Sequence, residues 1–238
     1  MAIAHGKKYR ESLKQIDKAK RYAPKEAVAL AKKTSSAKFD AGVQLHMTLG
    51  ADPKQADQQV RGTASLPHGL GKTIRVMAFV GGELVRAAKD AGADHIGDDE
   101  TIAKIEGGWS DFEVAIATPD MMTKVAKLGR VLGRKGLMPN AKSGTVVQPQ
   151  DIAKAIGEAK RGRVEFRLDR SGAIHAVIGK VSFDEQKLLD NMGAVMEAVM
   201  QAKPAAIKGV YVTRASLNAN MAPAIRLDIP ALTSLKAK

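Results

Sequence analysis

SLPHGLGKTIRVMAFV, residues 65–80, is where the chain changes style. Its first half, 65–72, is rich in turn formers and reads as a connection. Its second half, IRVMAFV at 74–80, is almost continuously apolar, as a strand covered on both faces would be. Working upstream, Val43, Leu45, Met47 and Leu49 alternate with Gln44, His46 and Thr48, which predicts a half-buried strand with one wet face. Before it, the spacing predicts a helix over 7–16 with Tyr9, Leu13 and Ile16 as its apolar stripe. A second helix starts at Pro24, continues through Ala27, Val28, Leu30 and Ala31, and breaks at Ser35 and Ser36. Working downstream, helices over 83–91, 99–106, 120–129 and 150–160 alternate with strands at 94–96 and 112–117, with a Gly/Pro-rich loop at 133–145. The last of these helices carries Ile152, Ala155, Ile156 and Ala159. Strand and helix alternating at this length predict a small parallel α/β sheet.

From Gly162 the first style returns. Val164, Phe166 and Leu168 alternate with Arg163, Glu165, Arg167 and Asp169. DRSG at 169–172 reads as a hairpin turn with Ala173–Ile178 pairing back. A helix follows over 184–202, and Tyr211–Leu217 with Ile225–Ile229 form a closing strand pair around the loop 218–223. The expected architecture therefore mixes α/β and α+β. Residues 1–66 plus 161–238 make a discontinuous antiparallel α+β domain, and 67–160 make an inserted, Rossmann-like parallel α/β domain. Two crossings predict a double hinge, placed at Pro67, His68, Gly69 and Gly162, with relative domain motion.

Charge divides along the same lines. Residues 1–66 carry 13 Lys and Arg against 6 Asp and Glu, 67–160 carry 13 against 12, and 161–238 carry 12 against 7. The basic ends, within a chain of net charge +13, favour a polyanion, nucleic acid first and an anionic membrane second. Aromatic residues make up only 4%, so recognition by a base-stacking platform is disfavoured relative to phosphate, sugar and shape. With no cysteine there is neither a disulfide framework nor a thiolate site. No apolar run approaches the roughly 20 residues of a membrane span, and MAIAHGKKYRESLKQ has no signal-peptide core. A soluble intracellular protein is expected.

Catalytic motifs fail. HGLGKT at 68–73 lacks the glycine a phosphate loop needs at Leu66, and it precedes a strand rather than a helix. VGGEL places Glu83 where a dinucleotide fingerprint needs glycine. His5, His46, His68, His95 and His175 show no metal-ligand spacing and read as surface or strand histidines. Asp98, Asp99 and Glu100 suit a helix N-terminus better than a metal. An enzyme using the α/β middle to bind a nucleotide remains the rival class, and complete phosphate-binding motifs are what it would require.

The surviving features are arrays. Arg163 and Arg167 would meet phosphates, with Glu165 and Asp169 accepting from 2′-hydroxyls or base amines. A solvated sheet face with lateral ion pairs explains the alternation equally well. The loop Asn218–Pro223 offers two amides and an exposed Met, or is an ordinary Asn/Pro loop. Phe39, between Lys38 and Asp40, could simply cap the core. The cluster His5, Lys7, Lys8 and Arg10 fits either a solvated helix face or nonspecific phosphate binding.

Long stretches then become recognisable: AKFD (37–40), QADQQVRGTASLPHGLGK (55–72), AGAD (91–94), GGWSDFEVAIATPDMM (107–122), LGRVLGRKGLMPN (128–140), SGTV (143–146), GRVEFRLDRSGAIHAVIGK (162–180) and NMAP (220–223). In order, and over nearly the whole chain, they resemble the family of the first protein of the large ribosomal subunit, which forms the mobile stalk beside the tRNA exit site. The resemblance implies a non-enzymatic, cytoplasmic, monomeric ribosomal constituent with no cofactor, no metal, no membrane and no small-molecule substrate. It implies that the discontinuous domain binds large-subunit (23S) rRNA, that stalk motion aids release of deacylated tRNA from the E site, and that the protein represses translation of its own mRNA through a similar RNA fold. Family contacts carry over to Lys38, Phe39, Arg163, Glu165, Arg167, Asp169, Arg170, Asn218, Asn220, Met221 and Ala222, and Arg130, Arg134 and Lys135 become tRNA-facing candidates. Three departures stand out. Asn220 and Ala222 replace the family's Thr and Gly, and Gly42 replaces a polar residue. Ala222 is expected to restrict a positive-φ turn or a close approach to RNA. Arg134, where proline is frequent, adds charge.

Overall fold

A computed structural model describes residues 6–82 and 84–235. His5 lies outside the described residues. In chain order the elements are α1 (Lys7–Lys14), α2 (Pro24–Thr34), β1 (Gly42–Leu49), β2 (Arg61–Ser65), β3 (Val76–Phe79), α3 (Leu84–Asp90), β4 (His95–Ile96), α4 (Asp99–Glu106), β5 (Val114–Ala117), α5 (Met122–Ala126), α6 (Gly129–Lys135), α7 (Ile152–Gly162), β6 (Arg163–Arg167), β7 (Ala173–Lys180), α8 (Glu185–Gln201), β8 (Val212–Ala219), β9 (Ile225–Arg226) and α9 (Ile229–Thr233). The backbone divides into two compact units. One takes the residues up to Gly71 and those from Val164 onward, and the other is Lys72–Arg163. By sequence the first carries 23 Lys and Arg against 13 Asp and Glu, and the second 15 against 12. The near-neutral middle thus becomes mildly basic, because Arg161 and Arg163 fall within it.

The first unit is built on a sheet of order β7-β1-β8-β9, with β1 antiparallel to both β7 and β8. Period-2 patterning does the work. Val43, Leu45, Met47 and Leu49 are all buried in one core cluster with residues of α2 and α8, while Gln44, His46 and Thr48 face outward. Helix α8 buries Leu188, Met192, Val195, Met196 and Val199 in the same core. Each such side chain contributes about 1.5–3 kcal/mol.

The hairpin expected at 169–172 turns tightly, but its strands do not form the expected sheet. β7 pairs with β1, and β6 pairs instead with β2, in a separate two-stranded sheet. Strand β2 had no sequence signal because RGTAS buries only Ala64. What holds it against β6 is small size. A Cβ on Gly62 would stand 2.7 Å from Cζ of Phe166, so the ring packs directly over the glycine backbone. At the C-terminal end, β8 runs on through Asn218 and Ala219, and the expected strand end at 229 is helix α9.

The second unit has a parallel sheet of order β4-β3-β5. All four residues of β3 are fully buried, as its unbroken apolar run requires. Asp98 caps α4 by accepting from the Thr101 amide at 2.8 Å. The helix expected over 120–129 is α5 alone, and α6 occupies part of the expected loop. Gly129 and Gly133 hid it, since glycine is a poor helix former. Its position is fixed by the fully buried Leu132, packed with Leu128 and Val125, and Gly136 at φ 71° ends it.

Two of the expected hinge residues, His68 and Gly69, are fastened within the first unit. The His68 amide donates to Oδ1 of Asn191 at 3.1 Å, and His68 Nε2 lies 3.1 Å from Oδ2 of Asp190. Asn191, fully buried, donates from Nδ2 to the carbonyls of Gly69 (3.0 Å) and Ile178 (2.7 Å). The unit boundary instead falls at Gly71/Lys72 and Arg163/Val164. Gly162, at φ 105°, sits beside the second crossing.

Candidate nucleic-acid interface

One end of the first unit's sheet gathers three segments. Ala41, Ala219 and Ala222 form a small buried cluster with Ala37 and Val181. Around it stand Lys38, Phe39 and Met221. Phe39 is 55% exposed and Met221 77%, so two large apolar side chains are held in water at one end of the sheet. Both are fixed from behind. Asp40 accepts from the Ser182 amide (3.1 Å) and hydroxyl (2.8 Å), with Lys180 Nζ at 3.6 Å, and these donors hold its carboxyl below the usual range. Met221 adopts φ 64°, the one positive-φ non-glycine residue among those described. That conformation costs an L-residue roughly 1–2 kcal/mol, a strain found mainly where function demands it.

Ala222 does not fit the sequence expectation. The left-handed residue is Met221, and Ala222 turns its methyl into the alanine cluster at 8% exposure. Its Cβ therefore neither strains the turn nor reaches outward. The other two departures fit each other. The Asn220 amide nitrogen donates to the Gly42 carbonyl at 2.9 Å, and a Cβ on Gly42 would meet the Asn220 side chain at 3.4 Å. Asn220 Oδ1 then accepts from Gln44 Nε2 at 2.9 Å. A longer polar side chain at 220 lies where residue 42 has none.

From this end the outward face of the sheet runs to the Asp169–Gly172 turn, about 23 Å away by strand rise. Register places Gln44 between Val177 and Asn218, His46 between His175 and Ser216, and Thr48 between Ala173 and Arg214. Across the middle runs a hydrogen-bonded chain. His175 Nε2 is 3.3 Å from Asp169 Oδ2, the two Nδ1 atoms of His46 and His175 are 2.7 Å apart, and His46 Nε2 is 2.7 Å from Asn218 Oδ1. The two rings meet edge to face with centroids 4.9 Å apart. Burial pushes the His46 pKa down from its ordinary value. A groove of ≈ 680 Å³ lies between this face and α1, with Lys18, Arg21, Arg214 and Arg226 among its lining residues.

The expected four-residue array on β6 is mostly committed elsewhere. Arg163 Nη1 donates to the Gly144 carbonyl at 3.1 Å. Glu165 accepts from Arg61 Nε at 2.7 Å. Asp169 folds onto its own turn, accepting from the amides of Ser171 and Ala173 at 2.8 Å each and from the Ser171 hydroxyl. Those donors lower its pKa to about 2. Arg167 and Arg170 remain exposed. On α1, Lys7, Lys8 and Arg10 are exposed, and the helix is tied down by Ser12 Oγ, which donates to the Thr34 carbonyl at 3.0 Å. In the second unit Arg130 and Arg134 are exposed on α6, whereas Lys135 reaches back to the Gly108 carbonyl and Ser110.

The histidine pair escaped sequence reading for a topological reason. Pairing β7 with β6 separates His175 from His46, while pairing it with β1 sets them opposite. The usable signal was that both lie on wet strand faces. No cluster of His, Asp and Glu among the described residues could hold a metal ion, and no described helix is long and apolar enough to cross a membrane.

The sequence was compared with those of known proteins. The profile of the Ribosomal protein L1p/L10e family matches residues 31–223. Proteins named Large ribosomal subunit protein uL1 align over nearly their whole length. The one from Dehalococcoides mccartyi strain BAV1 is 56% identical over 233 residues, 98% of each chain. That from Chloroflexus aggregans is 53% identical over 233 residues, again 98% of each chain. That from Thermobifida fusca is 52% identical over 226 residues, 95% of each.

Proposed function

The chain belongs to the ribosomal protein L1p/L10e family, and from that premise we propose that its first unit grips folded large-subunit rRNA with the Phe39–Met221 end and the open face of its four-stranded sheet. The protein is a structural constituent of the large ribosomal subunit, works in the cytoplasm and is not an enzyme. One observation carries the rRNA reading. Met221 holds a strained backbone and an apolar side chain in water, beside exposed Phe39, on the more basic of the two units. Unliganded, that arrangement only costs free energy. Against RNA, Phe39 and Met221 would cover sugar and base surface. Lys38, Arg167, Arg170 and the α1 residues Lys7, Lys8 and Arg10 would neutralise phosphates, and Asn218 and Asn220 would offer amide groups. Asp169 closes the turn beside this surface, Ala222 packs beneath it, Glu165 pairs with Arg61, and Arg163 belongs to the crossing between units.

The second unit is the part we propose to move. Arg130 and Arg134 on α6 would meet the backbone of deacylated tRNA at the exit site, with Lys135 bracing the 108–110 loop beneath them. Flexure at the two crossings, Gly71/Lys72 and Arg163/Val164 with Gly162 beside the second, would carry that surface. An mRNA segment folded like the rRNA site would compete for the same face, which makes the protein a repressor of its own translation. The test is equilibrium binding of the full chain to a transcript of the rRNA stalk region between 50 and 200 mM salt. The affinity should fall linearly on a log–log scale, by several orders of magnitude if six or more phosphates are contacted. Binding no tighter than to an unrelated folded RNA would refute the reading.

A further inference from the structure

The chain from Asp169 through His175 and His46 to Asn218 constrains its own protons. Its two ends, Asp169 Oδ2 and Asn218 Oδ1, only accept, so each Nε2 must carry a hydrogen. The bond between the two Nδ1 atoms needs one more. That makes three N–H groups on four ring nitrogens, whereas two neutral imidazoles supply two. As drawn, the pair therefore holds one extra proton and one positive charge. A second arrangement satisfies every group without it. Asn218 turns its amide by half a revolution and donates from Nδ2 to His46 Nε2, His46 Nδ1 donates to His175 Nδ1, and His175 Nε2 still donates to Asp169. Among the described residues nothing else engages the Asn218 amide, so the rotation breaks no other bond.

We propose that His46 and His175 form a proton-linked contact for RNA, taking up one shared proton when a phosphate-bearing strand lies on the open face of the sheet. This rests on the rRNA reading above. Two things change together. The pair gains a charge, and Asn218 turns its donor NH2 rather than its acceptor oxygen toward the face. Both favour an anionic ligand. The surroundings oppose the proton in the free protein: Lys18, Arg21, Arg214 and Arg226 line the same groove, against Asp17 at its rim and Asp169 at the end of the chain. Burial of His46 acts in the same direction. A phosphate reverses the balance of charge. The sign follows: burial holds His46 below the ordinary histidine value of 6.5 in the free protein, a phosphate on the face raises it, and affinity rises as pH falls between the free and bound values.

The experiment has two arms on the full-length protein. Imidazole nitrogen NMR of the free protein, from pH 5 to 8, should show both rings responding to the first proton at one midpoint, with the Asn218 side-chain amide shifting at that same midpoint. Two independent titrations with a silent Asn218 would overturn the shared proton. Binding to the stalk transcript at fixed salt should weaken by up to tenfold per pH unit above the free midpoint, and His175→Gln should flatten that slope. Since the RNA is common to both proteins, its own titration cancels in the comparison. If His175→Gln binds with an unchanged slope, the linkage is wrong and the rRNA reading stands. If neither protein binds at any pH, the rRNA reading itself falls, and the linkage with it.

Discussion

Replacing Met221 by Asp, with Asn as its uncharged twin, separates the fold from the interface at one atom position. Met221 is 77% exposed at φ 64°. The small buried remainder of its side chain is worth about 0.5 kcal/mol. Asn and Asp enter the left-handed region more readily than Met, which returns a similar amount. Both variants should therefore unfold within about 0.5 kcal/mol of the parent. RNA binding should respond differently. Losing the apolar contact costs both variants about 1 kcal/mol, near fivefold in Kd. Asp adds a charge. At ~6 Å from a phosphate and an effective dielectric of ~40, the repulsion is about 1.4 kcal/mol, a further factor of about ten. Fluorescence anisotropy with a labelled stalk transcript reads both steps, and thermal unfolding by circular dichroism checks the fold. Raising the salt should narrow the gap between Asp and Asn, since screening weakens the charge step alone. Equal Kd values for Met221→Asp and Met221→Asn would mean that no phosphate lies near this loop, and the interface would have to be sought elsewhere.

Asn191→Leu removes the amide that satisfies Gly69, Ile178 and His68 in the core; leaving those backbone groups unpaired should cost about 3 kcal/mol in denaturant unfolding, and a loss under 1 kcal/mol would show that water replaces the amide. Trp109, the single tryptophan, lies in the second unit and reports its unfolding. Gly97→Ala would put a Cβ 2.1 Å from Cδ1 of the fully buried Phe79, so the transition seen by Trp109 fluorescence should drop by about 3 kcal/mol; unchanged unfolding would mean the ring can move aside. Glu113, held chiefly by Arg75 and also by Lys72, has its pKa lowered from 4.5 to about 2. Its stabilisation is complete above 4.5 and fades as pH falls toward 2, so Glu113→Gln should flatten the acid dependence of the Trp109 midpoint between pH 5 and 2.5, and identical slopes would remove Glu113 from the account.

Most of the architecture was legible because burial imposes periods. The alternation at 43–49 and the unbroken run at 74–80 each correspond to a described strand, and Asp98 marked the start of α4. What escaped was pairing. A tight turn at 169–172 suggests that its flanking strands join, yet sheet membership depends on which faces need covering, and neither β6 nor β7 states its partner. Strand β2 and helix α6 escaped because glycine stands where propensity looks for other residues, and the reason for it, Phe166 over Gly62 in the first case, is a contact rather than a pattern. At the interface, Lys38, Phe39 and Met221 were readable from residue type and resemblance. Ala222 was misjudged because a family glycine suggests a positive φ at its own position, while here the preceding residue takes it.

Formal charge also hides what the first unit's acids do near the interface. Its carboxylates near the interface each have protein donors: Ser182 for Asp40, Arg61 for Glu165, and the amides of its own turn for Asp169. On Asp40 and Asp169 both oxygens accept from protein donors, which leaves less capacity for a 2′-hydroxyl. The basic groups nearby are held less tightly, with Lys38, Arg167 and Arg170 exposed. The acids earn their places mechanically. Asp40 fixes the chain that presents Phe39, and Asp169 closes the turn and anchors the histidine chain. Exchanging Asp169 for a residue without an acceptor to raise RNA affinity would thus work against itself, because the turn it holds would open.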